Sequence, residues 1–283
     1  MIKIIKKFAS IILCLLLIFG IRWLFYEVRY ALYVKEFKED YQVHLEKKQS
    51  KQKIKINYDL EDVTNTKKLC DKLGDISKCF DELPEGLIEE IKEPIYVETE
   101  EGMEQLVPPG EIQIIFYDAI GRKTKADGIT EFGIGWDMIG MSVNSNQRIE
   151  KLFYHEFGHL LDKRNKWKVL IPNSGYYKEW KDVNPEAFKY NSENYDYVMG
   201  KCESKESVAF ISEYATTRLE EDRAELFSYL MTLEERKDFD QLMTYPKIAE
   251  KIKYLNASLI EEYDCFEEDN CFQWQIWLGM NSK

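Results

Sequence analysis

From Phe8 to Tyr26 the chain is almost wholly apolar, interrupted only by Ser10 and Arg22, and Lys3, Lys6 and Lys7 precede it. A run of this length approaches what a bilayer-spanning helix needs, with Arg22 able to snorkel and Trp23 and Tyr26 suited to the interface. The lysines favour a cytoplasmic tail over residues 1–7, which puts the rest of the chain outside the cell or across the membrane. No small-x-small cleavage site follows the apolar stretch, so an uncleaved signal anchor over 8–26 is expected, with secretion after signal cleavage as the alternative.

Beyond Tyr26 the apolar positions become periodic. Val28, Ala31, Val34 and Phe37 recur at helical spacing without Gly or Pro, and Leu60, Val63, Leu69, Leu73 and Ile76 do the same between Asp59 and Phe80. This predicts a helical stalk, or membrane-proximal helices, over 27–80. Pro84 to Ile91 predicts a short helix. Pro94–Thr99 and Glu111–Tyr117 read as strands separated by the turn signal Pro108-Pro109-Gly110, and Gly128–Ile134 and Met138–Val143 follow as further strands of a mixed sheet. The run Ile149-Glu150-Lys151-Leu152-Phe153-Tyr154 then opens an amphipathic helix, Leu233 to Glu262 is helix-rich, and Phe272 to Met280 reads as a terminal element completing the core. No Gly/Ser-rich linker divides the remainder, so residues 81–283 are expected to form one α+β domain.

The chain holds only three histidines, and two stand four apart in His155-Glu156-Phe157-Gly158-His159. Residues four apart on a helix share a face, so both imidazoles can reach one metal while Glu156 addresses the open coordination position. This is the zincin pattern, and it predicts zinc. Catalytic zinc usually takes three protein ligands. The long metzincin pattern needs glycine at 162 and histidine at 165, where this chain has Asp162 and Asn165. His44, the remaining histidine, sits in a Lys/Glu-rich stretch where a solvated side chain is expected. The third ligand should therefore be a carboxylate.

Downstream, Glu220, Glu221, Asp222 and Glu225 lie at the start of a helix that Thr216 or Thr217 could cap, with Ala224, Phe227 and Leu230 as its inward stripe. Glu221 and Glu225 share a face, so one could bind the metal while the next, one turn on, receives a histidine ring N–H. A solvated acidic helix start is the competing reading.

The blocks His155-Glu156-Phe157-Gly158-His159, Tyr214 and Glu221-Asp222-Arg223-Ala224-Glu225-Leu226-Phe227 together resemble the anthrax lethal factor-like metallopeptidases, whose arrangement the Pro-Pro endopeptidases share. In that family a tyrosine seven residues before the third ligand stabilises the oxyanion, and Tyr214 stands seven before Glu221. The resemblance thus implies a zincin-like fold, zinc held by His155, His159 and Glu221, a general base at Glu156, an oxyanion donor at Tyr214, Glu225 behind a ligand histidine, and a peptide or protein substrate. It is specific at these short blocks and weaker over about 83–232. A tyrosine-rich insertion, Pro172 to Gly200, separates the blocks and leaves the substrate class open.

The net charge of −12 disfavours nucleic acid or an anionic surface as partner. Beyond the apolar run, an oxidising compartment would permit local bridges Cys70–Cys79 and Cys265–Cys271, leaving Cys202 unpaired. The expectation is a membrane-anchored, extracytoplasmic zinc endopeptidase. Its rival is a zinc-bound but inactive surface adaptor, against which the intact Glu156 argues.

Overall fold

The computed structural model describes residues 2–48, 60–99, 102–107, 109–117, 127–133, 136–162, 178–191 and 195–279. Helix α1 (Ile2–Glu39) leads into strand β1 (His44–Lys48), then α2 (Leu60–Asp81) and α3 (Leu87–Lys92). Strands β2 (Ile95–Thr99), β3 (Gly102–Val107), β4 (Glu111–Tyr117), β5 (Gly128–Gly133) and β6 (Trp136–Ser142) precede α4 (Ile149–Leu161). The remaining helices are α5 (Lys178–Val183), α6 (Leu219–Met231), α7 (Arg236–Leu242), α8 (Pro246–Glu262) and α9 (Gln273–Leu278), with a 3₁₀ turn at Tyr214–Thr216 ahead of α6.

The architecture is mixed α+β. A four-stranded sheet runs in the order β1-β4-β6-β5, with β1 parallel to β4, β4 parallel to β6, and β5 antiparallel to β6. Strands β4 and β6 are central and carry near-continuous buried residues, among them Ile112, Ile114, Ile115, Phe116, Ile139 and Met141, as strands covered on both faces do. Helix α4 lies against β5, β6, α2 and α6, and Leu152, Phe153, Phe157, Leu160 and Leu161 sink into one core with Leu73, Ile76 and Phe80.

Several expectations need correction. The stretch after Glu39 is no stalk: β1 joins the sheet edge, His44 pairs in register with Gln113, and Phe37, Val43, Leu45, Leu69 and Leu73 belong to the main core. His44 is exposed, as a solvated side chain should be. Strand β2 lies outside the main sheet, because β3 pairs with it as a separate antiparallel hairpin.

Cys70, Cys79, Cys202, Cys265 and Cys271 are all free. Cys70 and Cys79 share α2, where nine residues span about 13.5 Å at 1.5 Å each, roughly twice the Cα separation a disulfide tolerates. Cys265 and Cys271 flank a tight turn closed by Glu267 and Asn270, and the Cys271 thiol points instead to the Glu268 carbonyl at 3.6 Å.

Among the described residues no helix is long and apolar enough to cross a membrane. The side chains of residues 1–16, 19 and 23, most of the expected anchor, lie outside the described ones. Helix α1 itself continues unbroken past that run to Glu39. Its inner face is tied to the domain: Arg29 pairs with Asp71 at 3.3 Å, Glu27 with Lys47 at 3.0 Å, and Tyr33 and Val34 pack on the core.

Candidate metal centre

The site is built where α4 crosses α6. Gly158 faces α6 at the crossing: a Cβ there would stand 3.1 Å from the Cα of Ala224, so the absence of a side chain lets the two backbones approach. That approach carries the first turn of α6, with Glu220, Glu221 and Asp222, up to the His155–His159 face of α4. Carboxylates also suit the positive end of a helix dipole.

Nε2 of His155 lies 3.2 Å from Oε2 of Glu221, and Nε2 of His159 lies 3.3 Å from the same oxygen. One ligand atom from each of the three residues falls within 4.8 Å of the others, the sole such grouping of His, Cys, Asp and Glu among the described residues. Tetrahedral zinc with bonds of about 2.05 Å holds its ligand atoms about 3.3 Å apart. The donor set and both separations therefore fit zinc.

Behind the site, Nδ1 of His155 stands 2.9 Å from Oε1 of Glu225. The other Glu225 oxygen accepts from Ser212 Oγ at 2.8 Å and lies 3.8 Å from Lys151 Nζ. Glu225 is thus anchored where it can fix the His155 ring.

Electrostatics follow from these contacts. Burial disfavours charge on His155, but Glu221 and Glu225 outweigh it and hold its pKa up to about 9 in the metal-free protein. Burial works against Glu221 as well, yet the two histidines keep its carboxyl well below the ordinary range. Glu225 is likewise held low by His155, Lys151 and Ser212 against its burial.

Glu156 is 4 % exposed, and burial pushes its pKa up while His155, His159 and Thr130 pull it back. Thr130 Oγ1 lies 2.7 Å from Glu156 Oε2 and 2.9 Å from the Glu156 carbonyl oxygen. Gly128 on the same strand passes so close to this carboxylate that any Cβ there would collide with it. Tyr214 is half exposed at 52 %, its ring centroid 5.7 Å from that of His155. Burial and the Glu221 carboxylate raise its pKa, which keeps the phenol protonated and able to donate.

These groups open into one cavity of about 350 Å³, lined also by Phe132, Asp162, Arg218 and Glu220. A larger groove of about 610 Å³ lies elsewhere on the surface, beside Cys79, Tyr154 and Trp274. It holds no metal-ligating group of three, so the smaller cavity is the candidate centre.

The structure therefore brings together His155, Glu156, His159, Tyr214, Glu221 and Glu225. The proposed caps do not act: Thr216 and Thr217 donate to the carbonyls of Glu213 and Tyr214 inside the preceding turn, both at 2.7 Å. Helix α6 starts at Leu219 after Arg218, without a side-chain cap. Thr130, Ser212 and Lys151 were missed, since no local motif marks contacts made between distant elements.

No protein-family model matches the sequence, and no curated protein matches it. One solved structure with a similar chain path is described as a "putative zinc-binding metallo-peptidase from Bacteroides caccae". It is 15% identical, with 84% of this chain and 87% of that chain covered and a TM-score of 0.46.

Proposed function

We propose that this chain is a zinc-dependent endopeptidase of the lethal factor-like kind, anchored to the membrane through its N-terminal helix with the catalytic domain on the extracytoplasmic side. The observation that carries the catalytic reading is the convergence of His155 and His159 on one oxygen of Glu221, at 3.2 and 3.3 Å, with the Glu156 carboxylate lining the same cavity. The anchoring is supported by the apolar run 8–26 behind three lysines.

His155, His159 and Glu221 would hold the zinc, which when bound supplies Lewis-acid polarisation of a water and of the substrate carbonyl. Glu156 takes the proton of the attacking water and delivers it to the departing amine. Its burial serves this, because a carboxylate whose pKa is raised is a stronger base. Thr130 aims the carboxylate. Tyr214, protonated at neutral pH, donates to the oxygen on which negative charge develops. Strand β5, at the open edge of the described sheet beside the cavity, offers main-chain groups to an extended peptide.

The test is to incubate the full chain in detergent with a diverse peptide library, beside Glu156→Ala, and identify new termini by mass spectrometry. Cleavage by the intact protein alone supports the reading. Zinc-loaded, folded protein that cleaves nothing turns it toward the inactive adaptor.

A further inference from the structure

Described residues of the Pro172–Gly200 insertion reach the first turn of α6, through Trp180 and Tyr190 to Asp222. None of the insertion's described residues, 178–191 and 195–200, lines the cavity. Trp180 and Tyr190 hold Asp222 instead. Asp222, next to Glu221 and 1 % exposed, receives three donors on a single oxygen: Lys251 Nζ at 2.6 Å, Trp180 Nε1 at 2.8 Å and the Tyr190 hydroxyl at 2.8 Å. Two of the three come from the inserted segment. Lys251 Nζ also donates to the Ala209 carbonyl at 2.8 Å.

Two buried cations approach the Trp180 ring. The Arg223 guanidinium is 4.8 Å and Lys251 Nζ 5.4 Å from its ring. Arg223 in turn grips Asp162 through two bonds of 2.7 and 2.8 Å, and Asp162 is the residue that closes α4, three after His159. A continuous buried path thus joins the end of the helix bearing both histidines to the turn bearing Glu221. The segment also reaches the Tyr214 turn, through Asn191 N–H to the Thr216 carbonyl at 3.0 Å.

We propose that Trp180 and Tyr190 are positioning residues for Glu221: residues 178–191 form a strut that fixes the first turn of α6 against α4, and thereby sets metal affinity, without touching the metal or the substrate. The physical reason is that a buried carboxylate must keep its donors. When Asp222 loses one, the turn shifts to find another, and Glu221 moves with it. This rests on the zinc reading above.

The test compares Trp180→Phe and Tyr190→Phe with Trp274→Phe in the full chain. Trp274 is equally buried, and its Nε1 has no hydrogen-bond partner, so the same chemical change there removes no bond. Zinc affinity is measured by competition with a chromophoric chelator, and metal-free thermal unfolding is recorded beside it. Trp180→Phe is expected to weaken zinc about tenfold, as loss of groups orienting metal ligands commonly does. Tyr190→Phe should act in the same direction, and Trp274→Phe should leave affinity unchanged.

Should Trp180→Phe not fold, the milder Tyr190→Phe decides. Wild-type affinity in the folded variants, or an equal loss in Trp274→Phe, overturns the strut. Absence of zinc binding by the wild-type chain would instead sink the metal reading, a distinct outcome.

Discussion

Thr130→Val is expected to move the acid limb of the pH–rate profile. Valine keeps the shape of threonine and removes one hydroxyl, whose oxygen lies 2.7 Å from Glu156 Oε2. A hydrogen bond to a charged acceptor contributes about 1.5–3 kcal/mol, and one pKa unit corresponds to about 1.4 kcal/mol. The single hydroxyl proton is shared between that carboxylate oxygen and the Glu156 carbonyl at 2.9 Å, so the lower end applies, about one unit. The sign is fixed because the bond favours the ionised carboxylate, and its loss raises the pKa. A general base must be ionised, so activity falls as pH drops through that pKa, and in the variant the fall begins about one unit higher. The assay is kcat/KM against pH on a cleaved peptide, with zinc saturating in both proteins. An acid limb that stays put in a folded, zinc-loaded variant refutes the role given to Thr130 and the assignment of that limb to Glu156.

Other expectations follow from the same contacts. Tyr214→Phe should lower kcat by roughly a hundredfold, the usual effect of losing an oxyanion donor, while metal content stays intact; full activity would remove Tyr214 from the chemistry. Because His155 in the metal-free protein keeps its proton up to a pKa of about 9, zinc must displace that proton. Zinc affinity should therefore climb with pH throughout the range below about 9 and level off there, with proton release in calorimetry, and a flat dependence would contradict the His155–carboxylate pairing. The raised pKa also means that this pairing stabilises the metal-free fold below about pH 6.5 and is lost as pH rises through 9. Asp162→Ala strands the Arg223 charge and should cost about 3 kcal/mol, the low end for breaking a buried pair, since Arg223 keeps Ser258 at 3.2 Å and the Trp180 face. Urea unfolding measures this, and replacing both partners by Leu and Met should recover most of it.

How much of this was legible in the sequence depends on how far each contact reaches. The His155–His159 pair is spaced along one helix, so periodicity alone exposes it. Glu221 sits on another helix, and elimination left several acids open; only the family resemblance, through the register against Tyr214, singled it out. Strand β1 was hidden because Leu45 is the single strongly apolar residue in His44-Leu45-Glu46-Lys47-Lys48, and its strand character comes from pairing with β4. The separate β2–β3 hairpin was missed for a similar reason: the turn signal at Pro108 was legible, but not the strand before it. Thr216 and Thr217 have the composition of helix caps, and a competing turn consumes both hydroxyls. Asp222 reads as one more surface acid, and three donors from distant elements are what bury it.

The most direct measurement is zinc stoichiometry by elemental analysis of the purified full chain after dialysis, with Glu221→Ala, Glu220→Ala and Glu225→Gln beside it. A zinc centre at His155, His159 and Glu221 predicts one zinc per wild-type chain, retained in Glu220→Ala, weakened in Glu225→Gln and lost in Glu221→Ala. Stoichiometric zinc in folded Glu221→Ala, or none in the wild-type chain, would contradict it.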